Sequence, residues 1–374
     1  MKLSIPPHVA AIDPYVPGKP LEELARQYGV SDAVKLASNE NPLGTSPKAL
    51  EAARSRLEGL NRYPDGAGHD LIEALAARFD LRPSQVVIGN GSDDLLGMLA
   101  RVFLDDDSQV VVPHPSFLMY SIVARSAGAA AVKVPLKDLA IDLAAMARAV
   151  NEKTRIVFLC CPNNPTGTVL DHGRVEAFLN DLPEDVIVVL DEAYVEFVQA
   201  AESVRSLKLL ELGRPVVVLR TFSKIYGLAG LRVGYGLMPE QLAEVLNRVR
   251  MPFNVNCLAQ AAALAALDDS GFVAKTRALI HRELERMYTA LDERGIEYHP
   301  SQANFFLIKM PYPAGRVFEA LLREGVIVRW MKSYALEDYI RLSIGLPGEN
   351  DRFLAALDKV LERLAEPCRR SRRK

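Results

Sequence analysis

Short apolar runs of strand length alternate with amphipathic helical segments from about residue 48 to about residue 250. Strands rich in valine and isoleucine, each followed by a helix, are typical of a mostly parallel sheet that helices cover on both faces. The pattern therefore predicts an α/β domain built on a seven-stranded sheet. The predicted strands are 85–90, 108–113, 130–135, 154–160, 185–190, 215–220 and 232–236.

The pattern changes after about residue 257, where a long helical region is followed by short strands and a closing helix. This part predicts a smaller α+β domain that the N-terminal segment joins. A chain of 374 residues is long for one hydrophobic core, which also favours two domains. The predicted boundaries are 46–257 for the large domain, and 1–45 with 258–374 for the small domain.

Composition and charge narrow the functional classes. Apolar residues make up 49% and charged residues 25% of the chain, a balance typical of soluble globular proteins. The formal net charge of -2 gives no general attraction to nucleic acid or to a membrane. The first residues hold no apolar run of signal-peptide length, and no stretch approaches the ~20 apolar residues of a membrane span. We therefore expect a cytoplasmic protein that binds neither nucleic acid nor membrane.

Metal chemistry is not predicted. The six histidines are scattered without an HExxH motif, and no metal-ligand spacing links the cysteines, which are Cys160, Cys161, Cys257 and Cys368. We expect reduced, structural thiols. A nicotinamide dehydrogenase is disfavoured because no GxGxxG motif follows an early strand. The basic C-terminal stretch EPCRRSRRK is interpreted as a solvated tail.

Polar and aromatic residues follow the predicted strands, at the ends where parallel sheets collect ligands. A Gly-Ser-Asp turn opens a helix after the first strand, which suits a phosphate group. An aspartate follows the strand at 185–190, and a lysine in the stretch TFSK follows the strand at 215–220. The residues at these ends are Gly91, Ser92, Asp93, Phe117, Asn164, Asp191, Tyr194, Thr221, Ser223, Lys224 and Arg232.

Together these residues supply the parts of a site for pyridoxal 5'-phosphate. An amine can condense with the aldehyde of this cofactor, and a buried lysine of lowered pKa also suits proton transfer. A carboxylate near the pyridine nitrogen keeps that nitrogen protonated. A helix N-terminus and an arginine suit the phosphate group, and an aromatic side chain supplies a plate for the cofactor ring.

Six longer motifs lie between about residue 35 and about residue 350, namely KLASNENPLGTSP, NRYPDGAGHDL, CPNNPTGT, DEAYVEF, RTFSKIYGLAGLRVGYG and GVIVRWMKSYALEDYIRLSIGLPGEN. The set resembles the fold-type I pyridoxal-phosphate aminotransferases. Within that family it is most similar to the histidinol-phosphate aminotransferases. The resemblance implies an aspartate-aminotransferase-like fold and pyridoxal 5'-phosphate as the cofactor.

The resemblance implies a role for each residue that matches a motif. Lys224 matches the lysine that forms a Schiff base with the cofactor and carries protons, and Asp191 matches the aspartate paired with the pyridine nitrogen. Tyr194 and Asn164 match the two donors to the phenolic oxygen of the ring, and Phe117 occupies the ring-stacking position. The residues matched to the remaining cofactor contacts, chiefly the phosphate, are Gly91, Ser92, Asp93, Thr221, Ser223 and Arg232.

Five further residues are matched to substrate contacts or to a second subunit. Arg341 matches an arginine that holds the substrate carboxylate, and Arg329 matches one used for the distal or phosphate group. Tyr15 matches a tyrosine that folds over the substrate, and Asn39 is also assigned to substrate binding. Tyr63 matches a tyrosine that reaches the cofactor phosphate of the neighbouring subunit, which implies a homodimer with shared active sites.

The implied reaction is transamination of L-histidinol phosphate with 2-oxoglutarate, which gives imidazole-acetol phosphate and glutamate in histidine biosynthesis. An aromatic or broad-specificity aminotransferase would share every cofactor residue, and a threonine-phosphate decarboxylase has the same fold; both stay alternatives. The resemblance places the loop at 332–335, where relatives commonly have glycines, near the entrance to the substrate site. The sequence of this loop therefore affects which of these substrates is expected. A non-enzymatic regulator is disfavoured, because the motifs begin within ~40 residues of the start, too few for a separate DNA-binding domain.

Overall fold

The N-terminal segment enters the fold through two helices and one short strand. The computed structural model describes residues 3–16, 18–30 and 32–371. The first elements are α1 (Pro7–Ala10), α2 (Leu21–Tyr28) and β1 (Val34–Lys35). The tail interpreted as solvated, residues 366–374, lies outside the residues whose side chains are described, and so does Cys368.

Seven strands and the helices between them form the central part of the structure. In chain order these elements are α3 (Pro47–Arg54), α4 (His69–Phe79), β2 (Val86–Gly89), α5 (Ser92–Phe103), β3 (Gln109–His114), α6 (Met119–Ser126), β4 (Ala130–Pro135), α7 (Leu143–Ala149), β5 (Thr154–Cys160), α8 (His172–Asp181), β6 (Ile187–Asp191), α9 (Ser206–Leu210), β7 (Val216–Thr221), β8 (Gly234–Leu237) and α10 (Glu240–Val249).

The central sheet has the strand order β2-β8-β7-β6-β5-β3-β4. Neighbouring strands from β7 to β4 pair in parallel, whereas β8 is antiparallel to both of its neighbours. All seven predicted strands are present, and the strand predicted at 154–160 has those bounds in the structure. The predicted α/β fold with a mostly parallel seven-stranded sheet is therefore confirmed.

A second, smaller sheet is built from the C-terminal part of the chain. Its elements and the neighbouring helices are α11 (Cys257–Leu267), α12 (Ser270–Asp292), β9 (Tyr298–His299), β10 (Phe305–Lys309), α13 (Ala314–Arg323), β11 (Val326–Ile327), β12 (Arg329–Trp330), β13 (Tyr339–Ser343) and α14 (Pro347–Ser371). Four of the strands form an antiparallel sheet of order β12-β13-β10-β9, and β1 pairs in parallel with β11. The N-terminal segment thus joins the C-terminal part, while the domain boundaries themselves stay a prediction.

Both faces of the central sheet are buried, and β6 shows why its sequence is continuously apolar. Val188 and Leu190 belong to one hydrophobic cluster, whereas Ile187 and Val189 belong to the cluster on the other side. Successive side chains of a strand point to opposite faces, so a strand covered on both faces needs apolar residues at every position. The first polar residue of β6 is therefore its last one, Asp191, at the open end of the sheet.

The length and hydropathy of the helices bear on whether the chain could cross a membrane. Among the described residues, no single helix is both long and apolar enough to cross a membrane. The consecutive helices α11 and α12, bent by 80° at their junction, meet the requirement only when they are taken together and only by length and composition.

A close backbone approach joins β8 to the start of α5. A Cβ atom at Gly234 would lie 2.5 Å from the backbone nitrogen of Ser92 and 2.9 Å from the carbonyl oxygen of Arg220. Both neighbours are backbone atoms that cannot rotate away, so only glycine allows this contact. The sheet thereby holds the N-terminus of α5 against β8.

We expect Gly234→Ala to lower the free energy of unfolding by about 1–3 kcal/mol, because the new methyl group forces β8 and α5 apart. Urea unfolding followed by circular dichroism measures this change. Gly97→Ala is the matched control: Gly97 lies inside α5 with no atom within 4 Å of the added Cβ. That substitution should raise the free energy of unfolding by about 0.5–1 kcal/mol. Equal effects of the two variants would contradict the close approach.

Candidate active site

A cavity of about 170 Å³ opens at the carboxyl ends of the central strands. Its wall also includes residues from the N-terminal segment, from β12 and from β13. Fourteen of the sixteen residues predicted from the sequence line this one cavity. They are Tyr15, Asn39, Ser92, Asp93, Phe117, Asn164, Asp191, Tyr194, Thr221, Ser223, Lys224, Arg232, Arg329 and Arg341.

Lys224 follows β7 and is the amine of the cavity. Its Nζ donates a long hydrogen bond of 3.4 Å to the carbonyl oxygen of Ser38, and among the described residues no carboxylate pairs with it. Burial, and next the positive charge of Arg341, lower the pKa of Lys224 to about 8. More of the amine is therefore neutral near physiological pH than for a lysine in water, and a neutral amine can act as a nucleophile or as a base.

Asp191 ends β6 and is only 4% exposed. The hydroxyl of Tyr120 donates to its Oδ2 at 2.7 Å, and the backbone N–H of Ala193 donates to its Oδ1 at 3.2 Å. Burial raises the pKa of Asp191 to about 6, while these two hydrogen bonds act in the opposite direction. The donors therefore help to keep a buried carboxylate charged.

Tyr120 is a site residue that the sequence analysis missed. Its ring stacks on Phe158 at 4.7 Å between centroids and meets the edge of Phe117 at 5.6 Å. Tyr120 lies on α6, and Phe117 lies just before that helix; the backbone N–H of Tyr120 donates to the carbonyl oxygen of Phe117 at 3.3 Å. The available signal was a tyrosine on the buried face of a helix, because a buried phenol needs a hydrogen-bond partner.

The N-terminus of α5 forms one end of the cavity. Gly91 precedes the helix with φ 81°, and a Cβ there would lie 2.6 Å from Nη2 of Arg232, so glycine leaves the room that the guanidinium occupies. Arg232 also contacts Asp93 at 3.3 Å. The Thr221 hydroxyl donates to Ser223 Oγ at 3.0 Å. Free backbone N–H groups, a guanidinium and hydroxyls at one place suit an anion such as a phosphate group.

Arg341 lies on β13 and is only 6% exposed. Its Nη1 donates to Asn164 Oδ1 at 2.6 Å, and its Nη2 donates to the carbonyl oxygen of Ala37 at 2.7 Å. Its Nε is buried without a hydrogen-bond partner, and no carboxylate among the described residues pairs with it. A buried guanidinium of this kind suits an anionic ligand, since buried charges are normally paired.

Arg329 connects the cavity to the N-terminal segment. Its Nη2 donates to the carbonyl oxygen of Val16 at 2.7 Å, and its guanidinium lies 6.0 Å from the centre of the Tyr15 ring. Tyr15 is 43% exposed and lines the cavity. The segment around Tyr15 therefore forms part of the cavity wall.

Two predicted residues do not line the cavity. Gly91 lies directly beside it, as described above, whereas Tyr63 lies elsewhere. Tyr63 is 81% exposed and stacks on Phe253 at 4.5 Å between ring centroids. Within one chain it therefore does not contact the predicted cofactor site. Among the described residues, no group of three or more histidine, cysteine, aspartate or glutamate side chains is placed to hold a metal ion.

The family model for class I and II aminotransferases matches residues 31–357. The chain belongs to the class I and II aminotransferases. It is 48% identical over 359 residues to histidinol-phosphate aminotransferase 2 of Pseudomonas fluorescens, covering 96% of this chain and 97% of that protein. It is 46% identical over 367 residues to the histidinol-phosphate aminotransferase of Desulfotalea psychrophila, covering 97% of each.

A solved structure agrees with this aminotransferase family. The crystal structure of histidinol-phosphate aminotransferase from Sinorhizobium meliloti in complex with pyridoxal-5'-phosphate matches with a TM-score of 0.90 at 31% identity. The match covers 96% of this chain and 98% of that one. The resemblance inferred from the sequence motifs is thereby confirmed.

The bond from Tyr120 to Asp191 predicts a pH-dependent defect in the aminotransferase. Tyr120→Phe removes the donor and raises the pKa of Asp191 further, so more of the carboxyl is protonated near and below neutral pH. Because the charged form is the one expected to hold the pyridine nitrogen, affinity for pyridoxal 5'-phosphate should fall about 10-fold at neutral pH and less at alkaline pH. Equilibrium titration followed by absorbance, repeated across pH, measures this change.

Tyr288→Phe is the control for that experiment, because it deletes a tyrosine hydroxyl remote from the cavity. This hydroxyl accepts a hydrogen bond from the backbone N–H of Ser301 at 2.9 Å. It should leave the pH dependence of cofactor binding unchanged. A Tyr120→Phe defect of the same size at every pH would assign Tyr120 to packing alone.

Proposed function

We propose that this chain is a pyridoxal-phosphate-dependent histidinol-phosphate aminotransferase, which moves the amino group of L-histidinol phosphate to 2-oxoglutarate. The observation that carries the proposal is one cavity in which Lys224 and Asp191 lie together with two arginines that lack a carboxylate partner among the described residues, Arg329 and Arg341. The curated relatives with the same overall length support the choice of amino donor.

The residues of the cavity fit the cofactor. The amine of Lys224 suits an aldehyde, and the N-terminus of α5 with Arg232 suits a phosphate group. Asp191 is buried and hydrogen-bonded by Tyr120, which suits a partner for a protonated ring nitrogen. The Tyr194 hydroxyl and the Asn164 amide supply polar contacts for a phenolic oxygen, and Phe117 supplies an aromatic face.

When bound, pyridoxal 5'-phosphate supplies an electron-accepting ring and a carbon that can exchange amino groups. The chain's own part in the reaction is to position groups and to move protons. Nζ of Lys224, with its pKa lowered to about 8, takes a proton from the substrate carbon that bears the amino group and later returns a proton. The buried carboxylate of Asp191 would hold the protonated ring nitrogen of the cofactor, and burial strengthens this interaction.

The two arginines divide the anionic groups of the substrates between them. Arg341 lies deeper and holds the carboxylate next to the reacting carbon of glutamate or 2-oxoglutarate. Arg329, beside Tyr15, holds the distal carboxylate of that substrate and, in the other half-reaction, the phosphate of histidinol phosphate. A guanidinium pairs bidentately with both a carboxylate and a phosphate, which a lysine does not do.

We also propose a homodimer with shared active sites and a cytoplasmic location. Tyr63 is exposed within one chain, and so is Phe253, on which it stacks. Exposed apolar residues near these two in sequence are Leu50, Leu57, Leu60 and Met251. An exposed apolar set of this kind suits a contact with a second copy. Cys160 and Cys161 are free thiols, in keeping with a reducing compartment.

Turnover of alternative amino donors tests the substrate. The enzyme should use histidinol phosphate with 2-oxoglutarate at a higher kcat/KM than phenylalanine or tyrosine. In Arg329→Leu, kcat/KM for histidinol phosphate should fall about 10- to 100-fold, mainly through KM, because a charge-assisted contact to phosphate is lost. The value for phenylalanine, which has no phosphate, should change little.

Arg316→Leu is the matched control, because Arg316 is an exposed arginine of α13 that does not line the cavity. It should leave both kcat/KM values unchanged. Release of carbon dioxide without 2-oxoglutarate would point to the decarboxylase alternative, and equal turnover of all donors would point to a broad-specificity aminotransferase.

Mixed dimers test the shared sites. Lys224→Ala should abolish turnover, and Tyr63→Ala should weaken cofactor binding about 10-fold through the lost contact to phosphate. If the partner's Tyr63 completes each site, a dimer of one Lys224→Ala chain and one Tyr63→Ala chain contains one complete site. Activity at limiting cofactor should then exceed the mean of the two parent dimers. Activity no higher than that mean would mean that Tyr63 does not act across subunits.

A further inference from the structure

A buried chain of hydrogen bonds leads from β13 to the hydroxyl of Tyr194. The Ser343 hydroxyl donates to Asn39 Oδ1 at 2.8 Å, and the Asn39 Nδ2 donates to Tyr194 Oη at 2.9 Å. The backbone N–H of Asn39 donates back to Ser343 Oγ at 2.8 Å. Asn304 Nδ2 donates to the carbonyl oxygen of Asn39 at 3.1 Å. Asn39, only 2% exposed, is therefore fixed at its backbone and at its side chain.

The direction of each bond follows from the donors and acceptors available. Ser343 Oγ accepts the backbone N–H of Asn39, so its own proton goes to Asn39 Oδ1. The amide oxygen of Asn39 is thereby occupied, and the amide nitrogen faces Tyr194 as a donor. Because Tyr194 Oη accepts this bond, its single proton is left to be donated elsewhere. Among the described residues no other hydrogen-bond partner of this hydroxyl is present.

The backbone of Asn39 is also suited to this role. Asn39 has φ 55°, in the left-handed region that asparagine and glycine adopt more readily than other residues. The sequence resemblance assigns Asn39 to substrate binding, yet its amide oxygen and one amide hydrogen are already used within the protein. The geometry therefore favours a role through Tyr194 over a direct contact with substrate.

Resting on the proposed function, we propose that Ser343 and Asn39 are positioning residues that hold the Tyr194 hydroxyl as a hydrogen-bond donor to the phenolic oxygen of the cofactor. Ser343 lies two residues after Arg341 on β13, so both side chains lie on the same face of that strand. The strand that holds the substrate carboxylate thus also sets the donor to the cofactor ring.

The pKa of the bound cofactor depends on whether the Tyr194 hydroxyl donates to it. A donor to the phenolic oxygen stabilises negative charge there and so lowers the pKa of the chromophore. Loss of the donor therefore raises the pKa of the chromophore, which a pH titration of the visible absorbance measures. The charged and titratable groups that also face Tyr194 are Lys224, Arg341, Asp191 and Cys160, and the test leaves all four in place.

The test compares single and double variants of the reconstituted holoenzyme. Asn39→Gly keeps the left-handed backbone and deletes the amide, and Tyr194→Phe deletes the hydroxyl itself. Both should raise the chromophore pKa by about half to one unit, and Ser343→Ala should raise it by less. In the Tyr194→Phe background, Asn39→Gly should cause no further shift, because both changes act through the same hydroxyl.

Ser108→Ala is the matched control for loss of a buried serine. Ser108 Oγ also accepts a backbone N–H, from Asp105 at 2.8 Å, and donates to the carbonyl oxygen of Asp105 at 2.8 Å, but it lies away from the cavity. It should leave the chromophore pKa unchanged even where it lowers the melting temperature. If Asn39→Gly does not fold, Ser343→Ala alone and in the Tyr194→Phe background carries the same comparison.

Two results would overturn the inference. One is an unchanged chromophore pKa in both Asn39→Gly and Ser343→Ala, and the other is a shift of equal size that persists in the Tyr194→Phe background. Failure of the proposed function looks different: a chain that does not bind pyridoxal 5'-phosphate gives no protein-bound chromophore, and a chain that uses another substrate gives the same pKa shifts without turnover of histidinol phosphate.

Discussion

Desolvation of charged groups at the ends of adjacent strands is the constraint on which this site depends. Burial lowers the pKa of Lys224 to about 8 and raises the pKa of Asp191 to about 6. Each pKa unit corresponds to about 1.4 kcal/mol, so burial makes the charged form of both groups less favourable than it is in water. Burial disfavours the charged form of the amine, and the neutral form is the reactive one. The reactivity of Lys224 therefore depends on its burial.

The surroundings offset this cost with donors that are themselves rigid. The hydroxyl of Tyr120 donates to Asp191, and the ring of Tyr120 is held by stacking on Phe158. Arg341 is held by the side chain of Asn164 and by the carbonyl oxygen of Ala37. Aromatic packing and backbone acceptors thus place the polar atoms, and a ligand that carries anionic groups and a protonated ring completes their pairing. The cavity therefore suits a ligand that carries both negative and positive charges.

Local sequence signals predicted the sheet well, because a strand buried on both faces must be apolar at every position. For the same reason the first polar residues after each strand marked the cavity, and Lys224 and Asp191 could be named from their positions. The antiparallel direction of β8 carries no such local signal, since it depends on the path of the chain between Thr221 and Gly234. Hydrogen bonds between distant segments have no local signal either: nothing near Asn39 in sequence indicates that Ser343 is its partner.

The contacts that a residue makes indicate its role more closely than its residue type does. Asn39 was assigned to substrate from its motif, although its hydrogen bonds point to Tyr194. Tyr120 was not predicted, because the hydrogen bond that places it in the site joins it to Asp191, which is 71 residues away in sequence. Tyr63 is exposed within one chain, and its proposed contact with the cofactor phosphate requires a second subunit. The roles assigned to these three residues stay predictions, and each depends on contacts that no short stretch of sequence contains.

A buried ion pair behind the cavity shows how the strand ends are kept in register. Glu192 follows Asp191, and Arg220 precedes Thr221; Oε2 of Glu192 lies 2.9 Å from Nε and 2.7 Å from Nη2 of Arg220. Burying two charges is costly, and among the described residues Glu192 Oε1 has no partner, so the pair is a weak source of stability. Its geometric effect is specific, because it joins the end of β6 to the end of β7. These two ends carry Asp191 and the turn that leads to Lys224, so the pair holds the carboxylate and the amine at a fixed separation.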